Sequence, residues 1–255
     1  HGMIAVGGQD CYFYAIVLNP AGVSMSEITH SAVKELTVKP RKTVAKIERH
    51  RVWEDFIIPT EDDEGILKAI DFKDEDKFNF AFDIVDGLAR RKPEKLAMVH
   101  VDRHKEERYF TFADISRYSS KAANYFQSLG IKRGDRVLLI LKRHYQFWFA
   151  ILGLHKLGAI AIPATNQLLE KDFTYRFSAG NVKAILCTAD GNVADAVDAA
   201  AAKSPMLEHK ILVGGSREGW HDFNEECPMF SSHFARTEDS PCGKDPMLMF
   251  FTSGT

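Results

Sequence analysis

The sequence closes on an apolar run of strand type, Met247-Leu248-Met249-Phe250-Phe251, followed by Thr252-Ser253-Gly254-Thr255. Short hydroxyl side chains and a glycine directly after a buried strand are the ingredients of an anion cradle. Backbone N–H groups in such a turn supply directed donors with little bulk, and Ser or Thr hydroxyls wrap the oxygens of a phosphate. Taken alone, the same string also describes an ordinary turn. The GxxxxGK[ST] pattern of a Walker loop is absent. Thr252, Ser253, Gly254 and Thr255 are the candidate phosphate contacts.

Other residues with chemical potential read more plainly. In KRHYQFWF, Lys142, Arg143 and His144 follow a strand and form a solvated helix entrance rather than a nucleotide contact. Trp148 belongs to the core rather than to a stacking platform. His155 lies among helical apolar positions, as a packed or surface imidazole and not a catalytic one. Gly214-Gly215 is a turn, because no GxGxxG accompanies it. The four cysteines (Cys11, Cys187, Cys227, Cys242) are widely spaced, without a CxxC pair, and the ten histidines show no metal-ligand spacing. No metal site is expected within the chain, and reduced thiols point to a cytoplasmic protein.

Composition sets the class. With 255 residues, 45% apolar and 27% charged, the chain is long enough to bury a real core in one large or two smaller domains. Thirty-three basic side chains against thirty-five acidic ones leave a formal charge of −2. No global field draws such a protein to nucleic acid or to an anionic membrane, so any anion must be gripped locally. The basic cluster at 39–51 lacks interleaved aromatics and is a solvated face, as is the acidic stretch 71–77. No apolar run approaches the roughly 20 residues of a membrane span. The first residue is His1, Met25 offers a start, and residues 1–24 are expected to be a remnant segment; residues 25–65 form an extension with no assigned role.

From Phe78 the pattern is regular. Phe82, Val85 and Leu88/Ala89 recur at helical spacing and the helix closes before Pro93. Leu96–Asp102 and RYFTF predict a hairpin. Thr111 and Asp114 resemble a capping pair, and Ile115, Tyr118, Ala122, Tyr125/Phe126 and Leu129 line one stripe ending at Gly130. Val137–Leu141 is continuously apolar, as a strand buried on both faces must be. A helix from about Tyr145 to Lys156, a strand Ala159–Ile162, a strand Ala184–Thr188, an alanine-rich helix from Asn192 to Lys203 and a strand Lys210–Gly214 continue the alternation. Strands alternating with helices predict an α/β fold, a mainly parallel sheet flanked by helices, with the terminal MLMFFT as one more strand.

The run from Phe78 onward, roughly 180 residues, resembles the adenylate-forming superfamily of acyl-CoA synthetases, in particular short- and medium-chain acid:CoA ligases. FNFAFDIVDGLARRKPEKLAMVHVD, the stretch from Tyr109 to Ala164 with its LGAIAIPA, and the final FTSGT carry the resemblance. FTSGT looks like the opening of the family's phosphate-binding signature, which continues with further residues and a lysine. The resemblance implies phosphate contact by Thr252, Ser253, Gly254 and Thr255.

It further implies that residues 66–255 are the N-terminal portion of an adenylation domain, and that the enzyme makes an acyl-adenylate from a short- or medium-chain carboxylic acid and Mg-ATP. The acyl group then passes to coenzyme A. ATP, Mg²⁺, CoA and the acid are the expected partners, without nucleic acid. The Mg²⁺-binding, adenine-binding and catalytic residues of the family would follow residue 255, so no catalytic residue is assigned here and the chain alone is expected to be inactive. Two alternatives stay open: an adenylating enzyme that loads a carrier protein, and a non-catalytic α/β binding or interaction module.

Overall fold

The computed structural model describes residues 51–252 and the short strand β1 (Phe13–Tyr14). Apart from β1, the segment through residue 50 lies outside the described residues, as do Ser253, Gly254 and Thr255. Contacts divide the described chain into two compact units, residues 51–73 and residues 74–252 with β1. The first holds an antiparallel hairpin of β2 (Ile57–Glu61) and β3 (Leu67–Phe72). No helix among the described residues is long and apolar enough to cross a membrane.

The second unit opens with a π-type turn, Ala81–Val85, that runs into α1 (Asp86–Arg91) and buries Phe82, Val85 and Leu88, the predicted stripe. Strands β4 (Leu96–Val101) and β5 (Glu107–Thr111) form the expected hairpin, with β1 beside β4. Helix α2 (Phe112–Ser128) begins at a true capping box: Asp114 N–H donates to Thr111 Oγ1 at 3.2 Å and Thr111 N–H to Asp114 Oδ2 at 3.0 Å. Gly130, at φ +74°, turns the chain out of it.

Five strands then build the main sheet: β6 (Arg136–Ile140), β7 (Ile160–Pro163), β8 (Val182–Thr188), β9 (His209–Val213) and β10 (His221–Asp222). Their order is β10-β9-β8-β6-β7, every pair parallel. Helices α3 (Gln146–Leu157), α4 (Glu170–Ala179), α5 (Val193–Ala201) and α6 (Phe223–Glu226) connect or flank them. The strands bury both faces, as period-two alternation requires. Val137 and Leu139 of β6, Leu186 of β8 and Ile211 of β9 pack with Tyr125, Phe126 and Leu154 of α2 and α3. The alternate residues Leu138, Ile140, Ile185 and Leu212 pack with Phe173, Phe177 and Val197 of α4 and α5. At about 1.5–3 kcal/mol per fully buried aliphatic or aromatic side chain, these two layers dominate the stability of the unit.

Gly153 lets α2 and α3 approach closely, since a β-carbon there would lie 2.8 Å from Ala123 N and 2.9 Å from Ser119 O. Two expectations need correction. The terminal run is not a buried strand: it joins the sheet by a single parallel bridge, Leu248 to Ala161, with Leu248 and Phe250 exposed. It lies at the outer edge of β7, where only Met247, Met249 and Phe251 find cover. Helix α4 was not foreseen between Pro163 and Val182.

Candidate functional site

The sheet order places β7 on one side of β6 and β8 on the other. The connection from β6 runs through α3 to β7 on one side and that from β8 runs through α5 to β9 on the other, so a crevice opens between β6 and β8 at the carboxyl ends of the strands, where open parallel sheets bind ligands. The terminal run flanks β7. Ala161 N–H donates to Met247 O and Met249 N–H to Ala161 O, both at 3.0 Å, so the run travels parallel to β7. Beyond Met249 no backbone hydrogen bond among the described residues holds the run to β7, and Thr252 is exposed. Of the four predicted phosphate contacts, Thr252 is described and is exposed; Ser253, Gly254 and Thr255 lie outside the described residues.

The loop after β6 is tied to β8. His144 Nε2 lies 2.8 Å from Thr188 Oγ1 and 3.5 Å from Asp190 Oδ2, and Asp190 N–H donates to Thr188 Oγ1 at 3.0 Å. Lys142 takes a left-handed backbone, φ +47°, and places Nζ 3.7 Å from Asp190 Oδ2. His100 Nε2 donates to Arg143 O at 2.9 Å. The reading of Lys142, Arg143 and His144 as a solvated entrance holds for the exposed Lys142 and Arg143 but not for His144, which is half-buried and fastened across two strands. Burial pushes its imidazolium below the ordinary range while Asp190 pulls the other way. The partner that decides its role, Thr188, is 44 residues away, beyond the reach of a local pattern.

The remaining candidates are structural. His155 is 8% exposed, and its Nε2 accepts from Phe80 N–H at 3.2 Å. Burial holds its pKa at about 4, below the ordinary 6.5. In the window between those values the unfolded chain binds a proton that the folded chain refuses, so stability is full above pH 6.5 and is lost as pH falls through about 4. The loss is on the order of 3 kcal/mol. His155→Gln keeps an acceptor for Phe80, and urea unfolding at pH 7 and pH 4.5 is expected to show that pH penalty reduced, leaving the part due to His144, His209 and the carboxylates.

Trp148 is half-buried and meets Phe147 edge-on at 5.4 Å. Gly214, at φ +86°, makes the expected turn. Cys187 and Cys227 are free and buried, their thiols pushed up to about 12 by burial, which removes them as nucleophiles at neutral pH. Among the described residues, no group of three or more His, Cys, Asp or Glu side chains is placed to hold a metal ion.

Residues 85–255 match the AMP-binding enzyme family. The chain belongs to this family. Its relatives include acyl-coenzyme A synthetase ACSM5, mitochondrial, of Rattus norvegicus, 36% identical over 187 residues that cover 70% of this chain and 31% of the relative. Acyl-coenzyme A synthetase ACSM1, mitochondrial, of Mus musculus is 34% identical over 202 residues, 75% of this chain and 34% of that one. The fold is shared with the anthranilate CoA ligase AuaEII, solved in complex with anthranoyl-AMP, at TM-score 0.61 and 21% identity over 70% of this chain and 32% of that one. A Brucella canis acyl-CoA synthetase gives TM-score 0.60 and 23% identity at the same coverage. This AMP-binding family chain spans about a third of the length of the relatives it matches.

Proposed function

We propose that this chain supplies part of the adenylating domain of an AMP-forming acid:CoA ligase acting on a short- or medium-chain carboxylic acid. The observation that carries the reading is the 34–36% identity to acyl-coenzyme A synthetases across 187–202 residues. Those relatives are named for coenzyme A, which favours coenzyme A over a carrier protein as the acyl acceptor.

The described residues fit ATP in part. Thr252 offers an exposed hydroxyl, the first of the string that resembles the family's phosphate turn. Thr252, Ser253 and Thr255 would bind phosphate oxygens through their hydroxyls, and Gly254 would let the backbone N–H groups approach. No described acidic cluster suits Mg²⁺, so that ion would be held by the phosphates and by residues outside the described set.

When bound, ATP supplies the leaving group: the acid's carboxylate oxygen bonds to the α-phosphorus, pyrophosphate departs, and the CoA thiol then displaces AMP from the acyl carbon. The chain's contribution is to neutralise charge accumulating on the phosphates with donors already in place. We place the protein in a reducing compartment. The cysteine pattern suggests the cytoplasm, and the relatives' names carry mitochondrial; fractionation of tagged protein separates the two.

The test uses the product of the whole reading frame with ATP, Mg²⁺, CoA and a panel of acids from acetate to dodecanoate. Formation of a CoA thioester with one AMP per thioester is expected. ADP in place of AMP, or no thioester with any acid, would overturn the proposal.

A further inference from the structure

Phe251 precedes the phosphate turn directly, and its backbone is not what holds it. The last backbone hydrogen bond along the terminal run is Met249 N–H to Ala161 O; among the described residues Phe250, Phe251 and Thr252 make none. Between that bond and the turn, the fixed point is a ring. Phe251 lies with its centroid 4.6 Å from the guanidinium carbon of Arg176 and meets Tyr175 edge-on at 6.0 Å, with 71° between the planes. A β-carbon on Gly180, just past the end of α4, would touch the same ring at 3.4 Å. The ring is half-buried against the layer that holds Phe173 and Phe177.

The Arg176 guanidinium makes no hydrogen bond or ion pair among the described residues. An unpaired cation over an aromatic face is held by the ring quadrupole, and the attraction strengthens as water is excluded. Its place in the last turn of α4 also suits the negative end of that helix. Arg176 and Tyr175 thus join α4, packed into the core by Phe173 and Phe177, to the residue immediately before the candidate hydroxyls.

We propose that Arg176, with Tyr175, is a positioning clamp on Phe251 that sets where the phosphate turn begins. The role rests on the reading of Thr252–Thr255 as the ATP phosphate site. Arg176 acts through Phe251 and is a positioning residue rather than a catalytic one. Loosening the clamp leaves the acid and CoA untouched and misplaces only the phosphate donors.

The experiment compares the whole-frame protein with its Arg176→Met, Arg176→Lys and Phe251→Leu variants. Arg176→Met and Phe251→Leu are each expected to raise KM for ATP roughly fivefold, the scale of a partly desolvated cation–π pair. KM for the acid and for CoA stays within about twofold, Arg176→Lys restores most of the ATP affinity, and the double variant is no worse than either single one, as a shared contact requires. In parallel, hydrogen exchange at the amides of Met249 and Ala161, whose bonds hold the run to β7, is expected to quicken several-fold in Arg176→Met.

Unchanged exchange at those amides overturns the clamp, even where KM for ATP rises, because Arg176 would then be touching the phosphates itself. An ATP KM within twofold of wild type, or an equal rise for the acid, also overturns it. If the wild-type protein makes no thioester, the ligase reading falls, and the amide exchange alone decides the clamp.

Discussion

Replacing Asp86 by alanine is expected to cost about 3–5 kcal/mol, the penalty for leaving a buried charge without its partner. Lys156, near the end of α3, has a side chain with no exposed surface. Its ammonium is held by Asp86 Oδ1 at 2.9 Å, Ser120 Oγ at 2.9 Å and Ser116 O at 3.4 Å. Burial lowers its pKa from the ordinary 10.5, and Asp86 opposes that shift. Against a typical domain stability of about 5–15 kcal/mol, the loss would take much of the margin.

The pair is asymmetric. Asp86 also accepts from Ser116 Oγ at 2.6 Å and lines a cavity of about 480 Å³ with Arg90 at its wall, so it keeps partners when the lysine is gone. Lys156→Met, which fills the same volume without a charge, is therefore expected to cost far less than Asp86→Ala. The sign of the pH dependence follows from the depressed pKa. Between the folded value and 10.5 the unfolded chain holds the proton and the folded chain does not, so stability rises with pH there. Urea midpoints at two alkaline pH values are expected to show the Asp86→Ala deficit shrinking as pH increases.

The second large effect falls on the proposed phosphate turn. Removing one preorganised donor to developing negative charge typically lowers kcat about 10²–10³-fold. Thr252→Val and Ser253→Ala each delete a hydroxyl while leaving the apolar core intact, so they are expected to act on turnover with ATP and not on folding. Thr252 is exposed, which separates this loss from any cavity effect. A variant whose urea midpoint moves along with kcat would instead mark a packing residue.

Much of the fold was legible because its strands must be apolar on both faces. Val137 to Leu141 admits no polar residue, and the structure divides it between two layers, odd residues to one and even to the other. The Thr111/Asp114 box and Gly130 fixed both ends of α2 by local chemistry. Helix α4 escaped because only Phe173 and Phe177 are fully buried in it, a stripe two residues wide amid charged neighbours. Their i, i+4 spacing with Asp172, whose carboxylate accepts from Leu169 N–H at 3.0 Å, was the available signal. With the helix went Tyr175 and Arg176.

The site was legible in type and less so in its supports. A Thr-Ser-Gly-Thr string and a parallel sheet together suggest an anion site, and of that string the structure describes Thr252, which is exposed. The supports are non-local: His144 to Thr188, Lys156 to Asp86 and Arg176 to Phe251 join residues 44, 70 and 75 positions apart. Periodicity carries no information at such separations. It placed Lys156 at a helix end, where lysines usually reach solvent, and only the packing of α1 against α2 shows that this one does not.

The central claim is that the hydroxyl turn beyond β7 grips the phosphates of ATP. Acid-dependent exchange of labelled pyrophosphate into ATP by the whole-frame protein tests it most directly, because that reaction needs the nucleotide and the acid but not CoA. Robust exchange in the wild type, falling at least 100-fold in Thr252→Val/Ser253→Ala with the urea midpoint unchanged, is the predicted result. Exchange that survives the loss of both hydroxyls would contradict it.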